Sequence, residues 1–76
     1  MIKTEKDILN CTLGLYKVYW KSGGSSLASI GQMYNGDRWI APCNWTADGK
    51  KNENPTVKIK NIIEDIDFLV LISDRV

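Results

Sequence analysis

Asn35-Gly36, set between two runs that read as strands, constrains this chain more than any other feature. Asn and Gly tolerate positive φ best, so the pair fits the two central positions of a type I′ hairpin turn. Ser26-Leu27-Ala28-Ser29-Ile30-Gly31-Gln32-Met33 precedes it, and Arg38-Trp39-Ile40-Ala41 follows Asp37. Pro42 has no amide hydrogen and is expected to end that strand or lie on an edge. Ser22-Gly23-Gly24-Ser25 supplies a second turn, and residues 13–21 before it are rich in aromatic and β-branched side chains: Tyr16, Val18, Tyr19 and Trp20. The expectation is a three-stranded meander, about the smallest sheet that persists in water.

Two-residue loops would make position 34 face 37 and position 22 face 25. One face then gathers Tyr16, Val18, Trp20, Leu27, Ser29, Gly31, Met33 and Ile40. The other gathers Lys17, Tyr19, Lys21, Ala28, Ile30, Gln32, Tyr34 and Trp39. The first is the better core; the second mixes rings with lysines and suits a contact surface. A change of one residue in the Gly-Gly loop turns the first strand over, because side chains alternate with period two.

The C-terminal third permits two readings. Ile59, Ile62, Ile63, Ile66, Leu69 and Val70 fall at helical spacing, with Asn61 and Glu64 placed as a capping box. Thr56-Val57-Lys58-Ile59-Lys60 alternates like a strand, and Phe68-Leu69-Val70-Leu71-Ile72 is a buried β-type run. The favoured expectation is strand, short helical turn near residues 61–65, then strand; a continuous helix is the alternative. Residues 4–10 suit a short N-terminal helix, and residues 47–55 read as an exposed polar loop. Seventy-six residues of 43% apolar and 25% charged composition make one domain, residues 1–76. The expected fold is mainly β, with α+β as the variant. It is a small, partly open antiparallel β-barrel, Src-homology-like or OB-like, with a short helical turn near the C-terminus.

Chemistry is sparse in this sequence. There is no histidine, the commonest general base near neutral pH. Cys43 lacks an evident activating partner and is expected to be inert. Glu64, Asp65 and Asp67 match no cation-loop spacing, so a solvated acidic surface is the simpler reading. Ser22-Gly23-Gly24-Ser25-Ser26 is glycine-rich but lacks the spacing of a phosphate loop. We therefore expect no enzyme, no cofactor, no metal and no small-molecule substrate. Two cysteines, Cys11 and Cys43, make no disulfide framework, the N-terminus has no signal-peptide pattern, and no apolar run is long enough for a span. A cytoplasmic location is the corresponding expectation. The Asn10 and Asn44 sequons then read as coincidence.

Binding has more to draw on. Three tryptophans are many for so thin a core; Trp20 and Trp39 are needed mainly for packing, whereas Trp45 borders the polar loop and suits a half-exposed anchor. Tyr19, Tyr34, Trp39 and Trp45 are the candidate protein-contact residues. As an alternative, Lys17, Lys21, Lys50 and Lys51 would neutralise phosphates while rings stack on unpaired bases. Residues 1–60 carry nine Lys and Arg against five Asp and Glu, and residues 61–76 carry Arg75 against four acidic residues. The chain is thus a basic body with an acidic end. A structural homo-oligomer is a third expectation.

The stretch from Tyr19-Trp20-Lys21-Ser22-Gly23-Gly24 through Arg38-Trp39-Ile40-Ala41-Pro42-Cys43-Asn44-Trp45 resembles the small accessory proteins of tailed bacteriophages. The likeness is one of style over residues 16–45 and transfers no functional residue. It implies a protein that binds and modulates or inhibits a larger host factor in the host cytoplasm.

Overall fold

The meander forms from β1 (Gly14–Trp20), β2 (Ser25–Gln32) and β3 (Arg38–Pro42), in a computed structural model that describes residues 1–42 and 56–74. Two further strands, β4 (Val57–Lys58) and β5 (Ile66–Ser73), complete a five-stranded sheet in the order β4-β3-β2-β1-β5, with every pair antiparallel. The sheet does not close, so β4 and β5 remain as its edges. Ile2 covers the middle of the β5 edge by exchanging two 2.8 Å backbone bonds with Leu69. Pro42 is the last residue of β3, as its missing donor requires.

Both hairpins close over three residues, not the expected two. At Lys21-Ser22-Gly23, the Trp20 N–H donates to the Gly24 carbonyl and the Gly23 N–H to the Trp20 carbonyl, at 3.2 and 3.0 Å. At Tyr34-Asn35-Gly36 the same pair of bonds joins Met33 N–H to Asp37 and Gly36 N–H to Met33, at 2.8 and 3.0 Å. Gly23 and Gly36 take φ of 100° and 93°, and no other residue type among the described residues has positive φ. This is the pattern of a type I turn followed by a left-handed glycine. Asn35 keeps negative φ because its side-chain oxygen accepts the Asp37 N–H at 3.0 Å, a local turn that competes with the I′ conformation.

Each additional loop residue turns β2 over relative to its neighbour, and the two inversions cancel between β1 and β3. Tyr16 and Val18 therefore do share a face with Ile40, as expected, but β2 contributes the opposite set. Ala28 and Ile30 are buried in the core, while Leu27, Ser29, Gly31 and Met33 belong to the other face. The expected placement of those six β2 residues is corrected accordingly.

Helical segments sit on the inner face and supply the rest of the core. In α1 (Glu5–Leu9), Thr4 caps the first turn by accepting the Asp7 N–H at 3.1 Å, and the acidic Glu5 and Asp7 suit the positive end. Five residues cannot hold a helix alone; burial of Ile8 against the sheet does. The chain from β4 runs into α2 (Ile59–Ile62) and then a 3₁₀ turn, Ile63–Asp65, before β5. This is the strand–turn–strand reading, and it replaces the continuous-helix alternative. Asn61 lies inside α2, whose start at Lys58 has no side-chain cap, so the Asn61–Glu64 capping box does not form. Ile59 and Ile66 bracket the turn and are fully buried, each stabilising by roughly 1.5–3 kcal/mol. Their spacing imitates a helix because both ends of a tight turn face the same core.

Candidate functional site

All described helical segments pack on one side of the sheet, which leaves the other side without a covering element among the described residues. Register places its side chains in rows across the strands. Phe68, Tyr19 and Ser25 form one row; Val70, Lys17 and Leu27 form the next; Leu15, Ser29 and Ala41 follow; Gly31, Trp39 and Lys58 come last. Met33 and Asp37 border this last row at the hairpin end.

The aromatic residues on this face are held rather than free. Tyr19 and Phe68 lie directly opposite, with ring centroids 4.3 Å apart and an interplanar angle of 17°. The Lys17 ammonium stands 5.2 Å from the Tyr19 centroid. Trp39 lies across Gly31: a Cβ built on Gly31 would come within 1.9 Å of Trp39 Cζ2. The absent side chain is the seat of the indole, a cross-strand aromatic–glycine pairing. Leu27, by contrast, is 44% exposed at the centre of the face.

At the hairpin end the face opens into a hollow lined by Gln32, Met33, Tyr34, Asn35 and Trp39. Tyr34 projects from the turn with its side chain fully in solvent, and Met33 is exposed beside it. Asp37 anchors this end to α2 through Lys60 at 3.0 Å and to β4 through Lys58 at 3.7 Å. The hydrogen bond from Lys60, with lesser contributions from its charge, Asn35 and Lys58, holds the Asp37 carboxyl below its ordinary range.

A second cluster lies under the sheet. The Arg38 Nε donates to the Cys11 carbonyl at 3.0 Å, and the Tyr16 hydroxyl donates to the Thr12 carbonyl. Burial pushes the Cys11 thiol up, against smaller opposing effects of Tyr16 and Arg38, and burial also pushes the Tyr16 hydroxyl up. A protonated, covered thiol is a poor nucleophile. These contacts tie the link after α1 to β1 and β3; their role is structural.

Of the residues singled out from sequence, Lys17, Tyr19 and Trp39 meet on the open face, Tyr34 stands at one end of it, and Lys21 lies in the turn at the other. Trp20 is packed against the core with its Nε1 donating to Ser26 Oγ at 3.0 Å. Cys11 is a buried free thiol. Trp45, Cys43, Lys50, Lys51 and the 47–55 loop lie outside the described residues. Leu27, Phe68, Val70 and Gly31 were not anticipated as members of this surface. Alternation within Phe68-Leu69-Val70 was the available signal for Phe68 and Val70, but a run apolar on both faces hides it, and the bulge at Asp67 puts Ile66 in the core against that alternation. Among the described residues no group of three or more potential ligands could hold a metal ion, and no helix is long and apolar enough to cross a membrane. A scan against protein-family models finds no match, and searches of curated proteins and of solved structures find none either.

Proposed function

We propose that this chain is a non-enzymatic protein-binding module whose contact surface is the open face of the sheet. The observation that carries the reading is Leu27, half-exposed between Tyr19–Phe68 and Trp39 on a face that no described element covers. Contiguous exposed apolar surface of this kind marks interaction sites, and rigidly held rings lose little entropy when a partner arrives. A module this small acts on a larger partner by covering part of its surface, which is the work of a modulator or inhibitor. The test is affinity capture with the full chain and with Leu27→Glu as paired baits, quantified by mass spectrometry. A stoichiometric protein retained by the first bait and lost from the second is the expected result. Equal recovery on both baits removes the open face from consideration.

The nucleic-acid reading draws on Lys17, Lys21 and the free ring of Tyr34. It predicts oligonucleotide binding that falls steeply with salt. The rings of Tyr19, Phe68 and Trp39 favour it less, because stacking on each other and on Gly31 already occupies surface that bases would need. A homo-oligomer built on the same face would show as concentration-dependent sedimentation.

A further inference from the structure

We infer that the partner of the open face is an acidic protein surface, one that presents an apolar strip flanked by carboxylates. The inference rests on the protein-binding reading above and specifies the chemistry of the partner. None of the cross-strand rows on that face contains a carboxylate, and Lys17 sits in its centre between Leu27 and Val70. At the hairpin end Asp37 is shared by two ammonium groups, Lys58 and Lys60, so that end keeps a net positive charge. At the opposite end Lys21 stands beside Asp65, whose carbonyl accepts the Lys21 N–H at 2.9 Å. Of the other described acidic residues, Glu5 and Asp7 lie on α1 and Asp74 just after β5, whereas Glu64 and Asp65 in the 3₁₀ turn and Asp67, at the bulge between Ile66 and Phe68, are at the Lys21 end.

An apolar strip with a cation at its middle and net positive charge at its hairpin end is complementary to carboxylates placed around apolar side chains. A second copy docked face to face would set one net positive strip against another. Nucleic acid would satisfy the charge but not the aliphatic centre, where Leu27 and Val70 offer no stacking surface. Apolar side chains set between carboxylates satisfy both features.

The test pans a random 15-residue peptide display library on the immobilised full chain and measures selected synthetic peptides by fluorescence anisotropy. The expected consensus places Asp or Glu around Leu, Ile, Phe or Trp. Leu27→Glu should weaken binding at least about tenfold. Lys17→Glu should weaken it about five- to tenfold, with recovery when the acidic residues of the peptide are changed to Lys. A neutral or basic consensus that is lost in Leu27→Glu but indifferent to Lys17→Glu overturns the acidic partner while the contact face stands. Peptides that bind Leu27→Glu as well as the parent, or no enrichment at all, overturn the contact face and this inference together. Salt-sensitive binding of a 20-residue oligothymidylate in place of peptide assigns the face to nucleic acid and overturns both.

Discussion

Gly31 and Trp39 face each other across β2 and β3, and the indole occupies the space a side chain at 31 would need. Alanine at 31 must therefore displace the ring, because its Cβ would fall within 1.9 Å of Cζ2 and 2.3 Å of Cε2. Gly31→Ala is expected to cost about 1–3 kcal/mol, the usual range for overpacking, even though alanine suits a strand better than glycine. In a Trp39→Ala background the clash is gone, and the same substitution should cost little or nothing. Urea titration of the two single variants and the double variant closes the cycle. A coupling of about 1 kcal/mol or more is expected for residues in such contact. Additive effects would mean that the indole does not rest on Gly31.

The turns are where reading from sequence and folding diverge at the level of elements. Asn-Gly and Gly-Gly marked both hairpins, their flanking strands and the order of the meander, because positive φ has few chemical solutions. They did not reveal loop length, because the same dipeptide serves a two-residue I′ turn and a three-residue turn ending in left-handed glycine. Register followed loop length, so Leu27 and Ile30 exchanged faces. The strand–turn–strand path at the C-terminus was legible from β-branched density, whereas the pairing of Ile2 with Leu69 had no local signature.

The hairpin end is joined to α2 through Asp37, and that link titrates. Its lowered pKa means that the folded state binds a proton less readily than the unfolded chain. The contribution is present above the ordinary value of 3.8 and is lost as pH falls through the lower folded value. Asp37→Asn should therefore have a lower urea midpoint than the parent at pH 7, and the gap should close as the carboxyl becomes protonated in acid. Since the group is at the surface, 1 M salt should shrink the gap at pH 7 as well. A gap that persists unchanged into acid would assign the effect of Asp37 to its backbone turn.

At the scale of the whole molecule the two layers make one face of the sheet a core and the other a surface, and a charge placed on each distinguishes them. Ile30 is fully buried among Tyr16, Val18 and Ile40, and the core cluster contains no charged side chain to pair with a new ammonium. Leu27, three residues earlier on the same strand, is 44% exposed and stands beside Lys17. A domain of this size has roughly 3–5 kcal/mol of stability, and an unpaired buried charge costs about as much. Ile30→Lys should thus be unfolded by circular dichroism at 25 °C. Leu27→Lys should keep the parent spectrum and lose less than about 1 kcal/mol by urea titration, mainly through repulsion from Lys17 and the lost apolar contact. Two-residue loops would reverse the outcome, with Leu27 inside and Ile30 in solvent. The pair therefore tests turn length, strand register and the identity of the open face in one measurement. If Leu27→Lys unfolds while Ile30→Lys survives, the face assigned to a partner is the core.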